Sequence, residues 1–178
     1  MNEKQLVKKC LEKDALAQKQ LFDFYSKRMM GVCLRYAKDT EEAQDILQMG
    51  FIKVFGNLDQ YKHQGSFEGW IRKIIVNTAL DNIRKNKKLM RNVALEKVDY
   101  QLHNSDENVL GSLSTEDLLK TIQNMPPGFR TVFNMFAIEG FSHKEIAEKL
   151  NISVSTSKSQ FLRSRAYLQK KLTEQKTL

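Results

Sequence analysis

The chain has 178 residues, 41% of them apolar, with 29 Lys and Arg against 21 Asp and Glu and hence a formal charge of +8. Its two prolines are adjacent at Pro126 and Pro127, so the first 125 residues contain none, which excludes a turn-rich all-β fold. The longest apolar run, Met29 to Leu34, is six residues, far below the ~18 of a membrane-spanning helix. Lys4, Lys8, Lys9, Glu12 and Lys13 punctuate the N-terminus where a signal peptide keeps an apolar core, so the expected location is the cytoplasm.

Cys10 and Cys33 are too few and too far apart for a disulfide framework or a zinc pattern, and they read as buried thiols. Leu16, Gln20, Phe22, Tyr25, Met29, Met30, Cys33, Leu34 and Tyr36 recur at three-to-four spacing and predict an amphipathic helix. Asp39-Thr40-Glu41-Glu42 supplies a cap and first-turn acids for a second helix with the apolar face Ala43, Ile46, Leu47, Phe51, Val54, Phe55 and Leu58. Gly50 lies in the middle of it, where glycine costs about 1 kcal/mol relative to alanine. Two readings account for it: a partner docking beside Asp45, Gln48 and Met49, or close approach of a neighbouring helix of the same domain.

A third helix is expected from Ser66-Phe67-Glu68 to about Asn86. Phe67, Ile71, Ile74, Ile75, Thr78 and Ile83 suit its inner face, while Lys73, Asn77, Arg84 and Lys88 form a second stripe. That stripe joins cations to an amide able to bond base edges, and Phe67 and Trp70 offer aromatic faces of the kind that stack single-stranded bases. A core role for the lone Trp is the plainer alternative.

From Asn104 to Ser114 the sequence NSDENVLGSLS has no sustained apolar period and reads as linker, dividing a domain at 1–90 from one at 115–178. After Pro126-Pro127, the residues Phe129, Val132, Phe133, Phe136 and Ile138 mark a helix ended by Glu139-Gly140. Ser142-His143-Lys144-Glu145 is a capping box opening the next helix, with inner residues Ile146, Ala147 and Leu150. Asn151-Ile152-Ser153 makes a turn, and Ser153 caps a final helix with Val154, Phe161 and Leu168 facing inward. A short helix, a tight turn and a longer basic helix make the helix-turn-helix pattern, whose second helix enters the major groove. The outer face there carries Ser155, Thr156, Lys158, Ser159, Leu162 and Arg163.

Charge is partitioned along this order. Residues 62–91 carry eight cations against two anions, net +6; residues 92–127 carry two against six, net −4; residues 128–178 carry nine against four, net +5. Two basic blocks about an acidic middle suit a polyanion-binding protein with two contact surfaces; lysines that only solubilise exposed helix faces are the plainer alternative.

The run DTEEAQDILQMGFIKVFGNLDQY (39–61) followed by SFEGWIRKIIVNTALDNIRKNKK (66–88) resembles the second conserved region of bacterial RNA polymerase sigma factors. The run from Met125 to Leu172 resembles their fourth region. With no room for further domains between them, the chain resembles the extracytoplasmic-function (ECF) subfamily of the sigma-70 family. That resemblance implies an all-α fold of two small helical domains: region 2 at 1–90, a linker at 91–114 and region 4 at 115–178.

It implies that the first domain docks on the clamp helices of the polymerase β′ subunit through Asp45, Gln48, Met49 and Gly50, with Met49 where an acid is usual. The second domain would dock on the β flap. Phe67, Trp70, Arg72 and Asn77 match positions that melt and hold the minus-10 element, and Lys73 and Arg84 join them from the basic stripe. Thr156, Lys158, Ser159, Leu162 and Arg163 match positions that face the minus-35 element. Ser155 replaces the usual Gly, Ser157 a buried aliphatic and Gln160 an Arg. The linker would follow the channel later used by nascent RNA.

The implied partners are core RNA polymerase, promoter DNA and an anti-sigma factor of the kind often anchored to a membrane. No metal, cofactor or small-molecule substrate is expected. A helix-turn-helix regulator that binds duplex without polymerase is the alternative. An enzyme is a poor fit: His63, His103 and His143 are isolated, and neither a nucleophile elbow nor a phosphate loop occurs.

Overall fold

The computed structural model describes residues 3–85 and 115–176, and every described element is helical. Chain contacts divide it into two compact units between Asn82 and Ile83. The expected boundary at residue 90, the linker at 91–114 and Lys88 lie outside the described residues. No described helix is long and apolar enough to cross a membrane.

The first unit holds α1 (Glu3–Leu11), α2 (Ala15–Tyr36), α3 (Thr40–Gly56), a 3₁₀ turn (Leu58–Gln60) and α4 (Phe67–Lys85). Local chemistry sets where they begin. Asp14 caps α2 by accepting from the amides of Leu16 at 2.8 Å and Ala17 at 3.1 Å. Asp39 accepts from the Glu42 amide at 2.8 Å while the Glu42 carboxylate accepts from the Lys38 amide at 2.6 Å, and Ser66 accepts from the Gly69 amide at 3.0 Å.

Leu21, Tyr25, Met29 and Cys33 of α2, Ala43, Ile46, Phe51 and Val54 of α3, and Phe67, Ile71 and Ile75 of α4 form the core. Cys10 and Cys33 are buried free thiols, as their surroundings predict, and burial pushes Cys33 up to about 12. Two residues of the expected α2 face lie outside, Gln20 and Leu16, the latter 74% exposed in the first turn.

Helix α4 is buried more widely than its expected inner face. Val76, Ala79 and Leu80 are sealed in addition to Ile71, Ile75 and Thr78, while Ile74 and Ile83 are only half-buried. A helix wrapped on several sides leaves a narrow strip of its surface to solvent, and that strip carries the polar residues.

The second unit holds α5 (Thr115–Gln123), α6 (Pro127–Phe133), a π-helical turn (Asn134–Ile138) continuing it, α7 (His143–Leu150) and α8 (Val154–Lys176). Pro127 opens α6 at a position where its missing N–H costs nothing. Gly140, at φ 76°, takes the left-handed turn that ends the segment, and Asn151, at φ 54°, does the same for α7. The Ser142–Glu145 capping box forms as expected, and Ser153 accepts from the Thr156 amide at 2.9 Å to start α8. Ile122, Met125, Phe129 and Tyr167 build a core to which Leu118, Phe133 and Leu168 add their partly buried side chains.

The inner face of α8 differs from expectation. Val154 is 41% exposed and Phe161 and Leu168 are half-buried, whereas Ser157, Gln160 and Ser164 are sealed. The buried set keeps the seven-residue spacing of the expected one, from Ser157 to Ser164, but is shifted three positions along the helix, and the small hydroxyl side chains at both places suit close packing of α8.

Candidate nucleic-acid interface

The strip of α4 left to solvent runs through Trp70, Lys73, Asn77 and Arg84. Lys73 and Arg84 are exposed, and Trp70 and Asn77 are half-buried. Arg72 is separated from them. It lies about 140° around the helix from Asn77, on the face of Glu68, which pairs with Arg28 of α2 at 2.7 Å.

Phe67 offers no aromatic face to a ligand. It is 1% exposed, stacked on Trp70 at 5.7 Å and packed on Tyr61 at 4.8 Å. Its place is beneath the surface, where it holds Trp70 in position, and Trp70 is the ring that can meet a base. Tyr61, 5.4 Å from Trp70, and exposed His63, 4.6 Å from Tyr61, extend the cluster into the loop before α4. Sequence spacing did not single them out because the loop has no periodicity; its signal was an aromatic two residues before a histidine, six and four residues ahead of the helix that opens at Phe67.

On α3, Asp45, Gln48 and Met49 are exposed in one row, and Ile52, 63% exposed, continues it. Ile52 is not among the residues of the expected apolar face, and it lies outside. Gly50 is not part of this row. It is buried, and a Cβ there would run into Ile75 Cδ1 of α4, so close approach within the unit accounts for it. Lys53 to Asp81 at 2.9 Å and Asn82 to Glu42 at 2.7 Å tie the same two helices together.

In the second unit, Lys158 and Leu162 are exposed on α8, and Thr156, Ser159 and Arg163 are half-buried beside them. Two of the hydroxyls are already engaged: Thr156 Oγ1 lies 2.8 Å from Ser153 Oγ, and Ser159 donates to the Thr156 carbonyl at 3.0 Å. Ser157, where the resemblance leads one to expect an aliphatic, is sealed with its Oγ 2.9 Å from His143 Nδ1. The His143 ring stacks on Phe136 at 4.3 Å and meets the edge of Phe161 at 6.0 Å. A polar bond thus fixes α7 against the start of α8, the segment that presents Lys158.

Burial and the neighbouring Lys158 charge hold His143 below its ordinary value of 6.5. The unfolded chain takes up a proton near 6.5 that the folded one resists, so the stability this site contributes is complete above 6.5 and declines as pH falls toward the folded value. Replacing His143 with Asn, which keeps a hydrogen-bonding side chain, is expected to flatten the loss of stability between pH 7 and 5.5. Urea unfolding of both proteins across that range measures it, and identical slopes would contradict the assignment.

Family models match two stretches of the chain: Sigma-70 region 2 over residues 21–89 and Sigma-70 region 4 over residues 115–168. The chain is 31% identical to the ECF RNA polymerase sigma factor SigW of Bacillus subtilis, covering 96% of this chain and 97% of that one. It is 26% identical to the RNA polymerase sigma-H factor of Pseudomonas aeruginosa, over 96% and 93% of the two chains. Among solved structures, the sigma factor RpoE of Bartonella quintana, crystallised with the anti-sigma factor NepR, shares its fold at a TM-score of 0.51 and 20% identity, over 88% of this chain and 96% of that one.

Proposed function

The chain belongs to the sigma-70 family of RNA polymerase sigma factors, in its ECF subfamily, and we propose that its two units divide promoter recognition, the first holding a separated strand and the second reading duplex. As a sigma factor it binds core RNA polymerase, directs it to promoters and helps open the minus-10 element; the chemical step is the polymerase's. In this reading region 2 spans 1–90, the linker 91–114 and region 4 115–178, and the protein works in the cytoplasm. Its activity is held in check by an anti-sigma factor.

The observation that carries the division of labour is the character of the two exposed faces. On α4 an indole, an amide and two cations share one strip, as a strand with unstacked bases requires. On α8, Lys158 and Leu162 stand clear with Thr156, Ser159 and Arg163, a mixture suited to phosphates and base edges in a groove. Asp45, Gln48, Met49 and Ile52 form the surface for the β′ clamp helices, and the second unit meets the β flap. Opening a base pair and unstacking its base costs a few kcal/mol, which stacking on Trp70 and phosphate contacts to Lys73 and Arg84 offset. Arg72 and Phe67 act from behind this surface, Phe67 by supporting the Trp70 ring.

Mixing the protein with core polymerase and promoter-bearing DNA should give specific run-off transcripts. A protein that bound DNA yet neither co-purified with core enzyme nor started transcripts would instead be a duplex-binding regulator. Within the proposal, Asn77→Ala should impair opening of duplex promoters while leaving pre-melted templates active. Permanganate reactivity of minus-10 thymines reports this directly, and unchanged reactivity would remove Asn77 from the strand-holding surface.

A further inference from the structure

Helix α1 precedes the stretch matched to region 2, which begins at residue 21. It nevertheless closes one side of a recess. Lys4, Val7, Lys8 and Leu11 of α1 and His63 of the loop before α4 line a cavity of about 320 Å³. Lys4 and Lys8 are four apart and therefore project from one face of the helix. Both are exposed, and neither forms an ion pair among the described residues. The nearby Glu3 carboxylate is engaged by the Tyr25 hydroxyl at 3.2 Å.

The loop that supplies His63 is built in advance. His63 takes a left-handed conformation at φ 56°, uncommon outside glycine, and the Tyr61 hydroxyl donates to the Gly65 carbonyl at 3.1 Å to close the turn. His63 is held 4.6 Å from Tyr61, and Tyr61 5.4 Å from Trp70. The recess on α1 is thereby joined, ring by ring, to the aromatic end of the strip on α4. Contacts between α1 and the 3₁₀ turn at Leu58–Gln60 fix the helix beside this loop.

We propose that this recess binds a phosphodiester of the separated promoter strand, flanking the bases held on α4, with Lys4 and Lys8 as backbone contacts and His63 as a hydrogen-bond donor between phosphate and aromatic cluster. The inference rests on the strand-holding role given to α4 and extends the DNA path onto a helix outside the matched family region. A single-stranded backbone is the occupant favoured by charge and by continuity with Trp70. Two lysines on one face give phosphate contacts without base preference, and each such contact adds about 0.7 to the salt dependence of single-strand binding.

The test uses the full chain with fluorescein-labelled (dT)20 and a 20-base-pair duplex, titrated by anisotropy at several salt concentrations. Lys4→Gln/Lys8→Gln is compared with Lys73→Gln/Arg84→Gln, all four positions being exposed, and unchanged melting curves verify folding. The α1 pair is expected to weaken (dT)20 binding roughly tenfold near 0.1 M salt and to reduce the salt slope by about 1.4, with little effect on duplex. If the α4 pair weakens (dT)20 binding while the α1 pair behaves as wild type, the recess is not a strand site and the role of α4 stands. If neither pair alters it, the strand-holding role falls and this proposal with it. Equal losses on single strand and duplex would mark a general charge effect and overturn the site.

Discussion

Replacing Gly50 with Val is expected to destabilise the first unit by about 1–3 kcal/mol, the usual cost of overpacking a filled interior. Any side chain at this position meets Ile75 Cδ1, and because Ile75 is fully buried it must turn within the core to make room. Alanine tests the balance more finely. Its single Cβ gains about 1 kcal/mol of helix propensity over glycine, and the same contact opposes that gain. Urea midpoints of the three proteins measure the order, wild type above Gly50→Val. Because Gly50 packs against α4 while Asp45, Gln48, Met49 and Ile52 face outward, the valine variant should still co-purify with core polymerase well below its melting temperature. A valine variant as stable as wild type that no longer bound core would return Gly50 to the docking surface.

The second large effect is expected at the start of α8. Removing a side chain that reads a base changes the preference at that position by about 1–3 kcal/mol, some 5- to 150-fold in relative binding. Lys158→Ala should approach the upper part of that range, since Lys158 is exposed. Ser159→Ala should fall lower, because the Ser159 hydroxyl already donates to the Thr156 carbonyl and must leave that bond to reach a base. Leu162, 44% exposed, is suited to a thymine methyl, so its truncation should relax discrimination against cytosine at one position. Selection from a randomised minus-35 library by the polymerase carrying each variant gives the preferences. Profiles indistinguishable from wild type in all three would show that another surface faces the groove.

Much of the fold was legible because it is written in short-range chemistry. The caps at Asp39, Ser142 and Ser153 act over three residues, and each forms as its spacing predicts. The apolar periods of α2, α3 and α4 identified the helices, and the net charges of their segments separated the two basic blocks. Helices α1 and α5 were not anticipated. Each is nine residues long, and α1 interleaves its apolar residues with four charges. The π-helical turn after α6 carries no signal distinct from that of an α-helix with the same apolar period.

The candidate surfaces were legible by residue type and less so by direction. Phe67 and Trp70 both read as aromatic faces for bases, yet one lies beneath the other. Val154 looked internal because it is apolar, and Ser157 looked like a departure from a buried pattern; in the fold Val154 is outside, and Ser157 is sealed against His143. Hydrophobicity ranks the preference of each residue for burial, but the register of α8 against α7 and α6 decides which positions are offered it.

Taken by itself, the sequence determined the helical class, the starts of α3, α4, α7 and α8, the division of charge and the membership of its two motifs in one family, all of which depend on residues within a few turns of one another. Tertiary structure alone decided that Gly50 answers to Ile75, that Ser157 is sealed against His143, and that Lys4 and Lys8 share a recess with His63. Those relations join residues distant along the chain, or depend on which side of a helix its neighbours cover. They are set when helices pack, since burial belongs to the pair of surfaces in contact and to neither alone.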